Sequence, residues 1–111
     1  MDSKMLAKLT AQIIAERAEL LALSKVSKEA RAPVELDQQS VGRLSRMDAM
    51  QQQSMDLARE ERRQHRLAIL MAALGRIDDN DYGYCLTCGE EIAPKRMEID
   101  PAVTLCVTCQ R

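Results

Sequence analysis

Residues 82–109 read YGYCLTCGEEIAPKRMEIDPAVTLCVTC, and the cysteines in that stretch decide how the chain is organised. Cys85-Leu86-Thr87-Cys88 and Cys106-Val107-Thr108-Cys109 are two C-x2-C pairs separated by 17 residues, the spacing of a structural zinc site. Four thiolates close a tetrahedron and leave no position for a metal-bound water, so the expected ion is a single structural Zn2+ on Cys85, Cys88, Cys106 and Cys109. The competing readings are a thioredoxin-like redox pair and inert buried thiols, but no βαβ pattern surrounds either motif. Gly89, directly after the second cysteine, suits a tight knuckle, and Gly83 lets the chain turn before Cys85. Pro94 and Pro101 exclude long regular structure between the pairs. Short strands, with a helical turn near Cys109, are expected there.

Upstream the pattern changes to helical. From Ser3 to Ala32 there is no Gly or Pro, and Leu6, Leu9, Ile13, Leu20 and Leu23 recur at helical steps, with Arg17 intruding on the stripe. Asp2 or Ser3 is the expected N-cap, and Pro33 ends the segment by pushing Ala32 out of the helical region. The polar stretch PVELDQQSVG (33–42) is a turn in which Asp37 or Ser40 caps a second helix. That helix runs from about Val41 to Ile77 along Leu44, Met47, Met55, Ala58, Leu67, Leu70, Leu74 and Ile77, interrupted by the polar run Arg59 to Arg66. Asp78-Asp79-Asn80-Asp81 stops it.

Composition agrees with this division. Of 111 residues 46% are hydrophobic, yet the only aromatics are Tyr82 and Tyr84, so the apolar material suits helix seams better than a thick core. The expected fold is mainly α: a long antiparallel coiled-coil hairpin over residues 1–80, with its tip around 33–48, followed by a small C-terminal four-cysteine zinc-finger module over 81–111. A first arm of about 28 residues would reach roughly 42 Å at 1.5 Å per residue. In so small a domain the metal is the staple.

Sixteen Lys and Arg against seventeen Asp and Glu give a net charge of −1, so there is no global positive field to hold nucleic acid or an anionic membrane. No segment approaches the roughly 20 apolar residues of a membrane span, and Met1 to Leu9 lacks a signal peptide's apolar region. A cytoplasmic monomer is expected, and in that reducing compartment paired Cys-x-x-Cys motifs are metal sites before they are disulfides. No nucleophile, base and orienting group can be assembled around the lone His65, and no Gly-rich loop cradles phosphate, so the protein is not expected to be an enzyme.

Other features carry a bland reading beside a functional one. Arg59, Arg62, Arg63 and Arg66 are interleaved with Asp56, Glu60 and Glu61, the pattern of a solvated helix face, with partner docking as the alternative. Lys95 and Arg96 form a small basic knob able to touch an acidic partner. Met47, Met50 and Met55 read as core filling. At the tip, Asp37 and the segment Arg43-Leu-Ser-Arg46-Met-Asp48-Ala49 either solubilise a turn or probe a deep cavity.

The C-terminal third resembles the bacterial DksA/TraR C4-type zinc-finger transcription regulators, through Asp81-Tyr82-Gly83-Tyr84-Cys85-Leu86-Thr87-Cys88-Gly89-Glu90-Glu91-Ile92 and Pro101-Ala102-Val103-Thr104-Leu105-Cys106-Val107-Thr108-Cys109. Across the helices the likeness is one of architecture and length. The resemblance implies direct binding to RNA polymerase, insertion of the hairpin into its secondary channel, and altered promoter-complex stability without DNA contact, in the setting of the stringent response. The family tip acts through Asp-x-x-Asp-x-Ala; here Ser45-Arg46-Met47-Asp48-Ala49 is the nearest text, a departure that leaves Asp48 and Ala49, then Asp37, as equivalents. Longer members bind the alarmone ppGpp through basic residues where this chain has Ile69, Asp100 and Gln110, and they continue into a further helix where this sequence ends at Arg111. Strong ppGpp cooperation through that site is therefore not expected unless Lys95 or Arg96 compensates. The alternatives are a DNA-binding zinc finger, which needs a basic recognition helix after the cysteines, and a coiled-coil adaptor for another protein.

Overall fold

The computed structural model describes residues 1–28 and 43–110. Among these residues are three helices, α1 (Ser3–Val26), α2 (Arg43–Asp78) and α3 (Pro94–Ile99), and no strand. α1 opens as expected at Asp2, whose Oδ1 accepts the Met5 N–H at 2.7 Å while its carbonyl accepts that of Leu6 at 3.0 Å. It ends at Val26, earlier than Ala32: the Ser27 hydroxyl turns back onto the Ser24 carbonyl, and Ser27 and Lys28 form a turn. The expected turn at 33–42, with Asp37 and Ser40, lies outside the described residues.

α2 stops at Asp78 through a specific device. Asn80 takes a left-handed conformation (φ 61°), the Asp81 N–H reaches back to the Arg76 carbonyl at 2.8 Å, and the Asn80 N–H bonds that of Ile77 at 3.2 Å. This is the Schellman closure with asparagine in the place usually taken by glycine.

The chain forms two compact units, one of Met1–Ala18 with Leu67–Arg111 and the other of Glu19–Arg66. The first holds every buried apolar side chain among the described residues: Leu9 and Ile13 from α1, Leu67, Leu70 and Ala73 from α2, and Tyr82, Cys85, Ile92, Met97 and Ala102 from the segment that follows. Burying each large one contributes about 1.5–3 kcal/mol. Here Arg17 Nη1 meets the Met71 sulfur at 3.4 Å. In the same unit Leu6 and Ile77 line one hollow, so rising numbers on α1 meet falling numbers on α2 and the helices are antiparallel there. In the second unit Arg63 Nη1 donates to Ser27 Oγ at 3.2 Å.

The second unit buries no apolar residue among those described; its one buried side chain is Glu60, at 8% exposure. Met47, Met50, Met55, Leu57 and Leu23 are exposed instead, which corrects the expectation that the methionines fill the seam. The reason is register. Leu67, Leu70, Leu74 and Ile77 face inward at alternating steps of three and four, and the same steps carried toward the start of α2 select Arg63, Glu60, Asp56, Gln53, Ala49 and Arg46, all buried or half-buried. The seam is apolar at one end of α2 and polar at the other.

Candidate metal centre

The approach to the cysteines is a short knuckle built on two glycines. Gly83 (φ 94°) accepts the Ile92 N–H at its carbonyl (2.8 Å), Tyr84 and Glu91 form a single antiparallel bridge, and the Cys85 N–H bonds the Glu90 carbonyl at 2.8 Å. Gly89 (φ 77°) closes the turn by donating to the Cys85 carbonyl at 2.9 Å. An added Cβ at Gly89 would meet nothing within 4 Å, so the backbone conformation, and not space, demands glycine there. One bridge takes the place of the expected strands.

Between the pairs lies a helix that sequence reasoning missed. Pro94 begins α3: its fixed φ and lost N–H suit a first helical position, and the element it opens is only six residues long. Met97 is fully buried beneath this turn, and Asp100 ends it by accepting the Ala102 N–H on Oδ1 at 3.1 Å. Tyr82, 8% exposed, donates its hydroxyl to the Pro101 carbonyl at 2.5 Å. The Leu86 N–H bonds the Thr104 carbonyl at 2.9 Å and ties the first cysteine pair to the stretch of chain entering the second. The second pair is wound into the expected helical turn, with the Gln110 N–H on the Cys106 carbonyl at 3.0 Å.

These elements bring all four sulfurs within 4.8 Å of one another. Cys88 Sγ and Cys106 Sγ are 3.7 Å apart. That is far beyond the roughly 2.05 Å of a disulfide. A Zn–S bond of about 2.3 Å places tetrahedral sulfurs about 3.8 Å apart, so the spacing fits a four-thiolate zinc site. The acid–base chemistry of the donor set agrees. Backbone N–H groups, that of Cys106 foremost, lower the Cys85 thiol, and the Cys109 N–H does the same for Cys106, whereas the neighbouring sulfurs of Cys106, Cys85 and Cys88 hold the Cys109 proton on. Four thiols this close cannot all ionise alone; a divalent cation supplies the charge that lets them. These cysteines hold one structural zinc ion.

The remaining candidates are scattered. Asp48 is exposed near the start of α2, with Ala49 and Arg46 half-buried on its polar seam; Asp37 lies outside the described residues. Lys95 is exposed on α3, whereas Arg96 is half-buried and its guanidinium is engaged by the second cysteine turn, Nε donating to the Leu105 carbonyl at 2.9 Å and Nη2 to Gln110 Oε1. Ile69 and Asp100 are half-buried, and Gln110 and His65 are exposed. The arginine cluster divides: exposed Arg59 reaches half-buried Asp56 at 3.1 Å from outside the seam, while Arg63 lies on Glu60 at 2.7 Å within it.

Comparison with known proteins places this geometry. Residues 80–111 match the prokaryotic dksA/traR C4-type zinc finger. Over 57 residues the chain is 37% identical to the RNA polymerase-binding transcription factor DksA of Haemophilus influenzae, covering 51% of this chain and 39% of that protein. It is 33% identical over 57 residues to the protein of the same name from Escherichia coli, covering 51% and 38%. The chain thus matches only about two fifths of the length of these relatives. The structure of transcription factor DksA2 from Pseudomonas aeruginosa superposes with a TM-score of 0.82 over 99% of this chain and 83% of that one, at 24% identity, a likeness of fold. No described helix is long and apolar enough to cross a membrane.

Proposed function

We propose, from the premise that the C-terminal module is a zinc finger of the DksA/TraR C4 type, that this protein is a non-enzymatic regulator of transcription initiation that binds RNA polymerase. The observation that carries the proposal is the joint occurrence of that finger with two long antiparallel helices in the fold of DksA2. In this reading the helical hairpin enters the polymerase secondary channel, and Asp48 near the start of α2, its neighbours Ala49 and Arg46, and Asp37 act near the active site. The finger docks outside through Lys95 and the apolar rim beside it, where Ile99 is 87% and Val107 59% exposed around a shared hollow. Arg96 supports that rim from within.

The near-neutral net charge supports action without DNA contact, because nothing in the composition would neutralise a run of phosphates. It works in the cytoplasm. Cooperation with ppGpp is weak, because Ile69, Asp100 and Gln110 offer no cation to a phosphate.

The test is competition for purified RNA polymerase against a known secondary-channel binder. Displacement of that binder is expected; undiminished binding at saturating concentrations of this protein refutes channel insertion. Asp48→Asn is expected to compete equally well yet change the lifetime of promoter complexes. Retention of promoter DNA by the protein alone at low salt, weakening steeply as salt rises, would favour a DNA-binding finger instead.

A further inference from the structure

We infer that Arg96 is a positioning residue for the zinc site, clamping the second cysteine knuckle from both sides. Leu105 immediately precedes Cys106 and Gln110 immediately follows Cys109, so the acceptors of this one guanidinium bracket the Cys106–Cys109 turn. Nε takes the Leu105 carbonyl at 2.9 Å, and Nη2 takes the Gln110 side-chain oxygen. A guanidinium holds its donors in a rigid plane, so two acceptors on one fork fix their mutual distance as well as their direction.

The base of the clamp is itself fixed. Arg96 lies in α3 between Pro94, which sets the start of the helix, and Met97, which is fully buried, so the backbone that carries the fork cannot shift without disturbing the core. The first knuckle needs no such brace. It closes through its own backbone, by Cys85 with Glu90 and Gly89 with Cys85. Among the described residues the second is held by the Gln110–Cys106 backbone bond and by the Leu86–Thr104 bond at its entrance. Arg96 adds a side-chain restraint at both ends of this turn, through acceptors that are not themselves zinc ligands. Partners that orient ligands from outside the coordination shell typically change metal affinity 10–100-fold when removed.

The experiment uses the full zinc-loaded chain and follows transfer of zinc to a chromogenic chelator present in excess. Arg96→Ala is expected to release zinc on the order of 10-fold faster than wild type while far-ultraviolet circular dichroism keeps its helical signal. Arg96→Lys keeps the charge and the apolar stem but has no planar fork, and is expected to release zinc at an intermediate rate. Gln110→Ala removes one arm only, and combining it with Arg96→Ala is expected to add little beyond Arg96→Ala alone. The ligand-field spectrum of the cobalt-substituted protein gives a readout that a merely structural role would not move: Arg96→Ala shifts and weakens the tetrahedral bands, Gln110→Ala less so. Wild-type release rates and cobalt spectra in Arg96→Lys and Gln110→Ala overturn the inference even if Arg96→Ala fails to fold. Additive effects of the two alanine substitutions overturn the clamp as a single device.

Discussion

Tyr82 shows how much one side chain couples in a module this small. Burial first, and then the nearby Asp100 carboxylate, push its phenol up to about 12 against an opposing pull from Arg76, and the hydroxyl is committed to the Pro101 carbonyl. The folded value lies above the unfolded value of 10.0, so the neutral phenol's stabilising contribution is complete below pH 10 and is lost as pH rises toward 12. Two units correspond to roughly 2–3 kcal/mol across that window. In a Tyr84→Phe background the one remaining tyrosine reports directly, and its tyrosinate absorbance is expected to appear near pH 12. Chemical denaturation at pH 8 is expected to show Tyr82→Phe less stable by about 1 kcal/mol, the value of the lost hydrogen bond, while its stability falls less steeply than wild type above pH 10. A phenol that titrates at 10 in the folded protein contradicts this account. The zinc ligands were legible at the same scale because C-x2-C spacing is a covalent pattern; the Tyr82–Pro101 and Arg96–Leu105 bonds were not, since each joins residues whose meeting depends on the path of the chain between them.

At the scale of the element, α2 is one helix with two kinds of seam, and legibility divides along the same line. Leu67, Leu70, Leu74 and Ile77 announce their inward face by apolar spacing, and the structure places them there. Toward the start of the helix the same spacing falls on Arg46, Gln53, Asp56, Glu60 and Arg63, and a search for apolar residues selects Met47 and Met55 on the wrong face. The signal existed, but only in the register carried over from the apolar end. An ion pair with both members in that polar seam should behave unlike one whose partner reaches out of it. Glu60 and Arg63 pair at 2.7 Å with side chains 10% and 19% exposed, and Gln64 Nε2 also donates to Glu60 at 2.8 Å. Arg59 and Asp56 pair at 3.1 Å, but Arg59 is 48% exposed. A double-mutant cycle on Glu60 and Arg63 with alanine is therefore expected to return about 1–2 kcal/mol of coupling, against a few tenths for Asp56 and Arg59. Equal coupling in the two cycles would show that the seam is as wet as the surface. The termini were easier to read than the registers: Asp2 capping α1 and the Asp78–Asp81 stop follow from residue chemistry next to the bond it makes, whereas Pro94 limits the length of regular structure without showing that it opens a short helix.

For the whole molecule, the boundary that motifs draw between residues 80 and 81 is not where the compact units divide, since Leu67–Arg111 packs with Met1–Ala18. Metal removal is therefore expected to reach further than the finger. If the finger folded apart from the helices, chelation would disorder about the last thirty residues and leave much of the helical signal. Of the ten buried apolar residues, however, Tyr82, Cys85, Ile92, Met97 and Ala102 come from the finger, and the other five share their unit. Structural zinc contributes its binding free energy directly to the fold that assembles its ligands, so stripping it withdraws half of that core at once. Hydrogen exchange after chelation is expected to show loss of protection in the finger together with α1 up to Ala18 and α2 from Leu67. Residues 19–26 and 43–66 should exchange as they did with the metal bound, because among the described residues their unit shares no buried apolar group with the finger. Circular dichroism should then fall by more than the six residues of α3 account for. Protection that survives around Leu9, Ile13 and Leu70 in the metal-free protein would mean that the helices hold their own core and that the finger rests on it without sharing it.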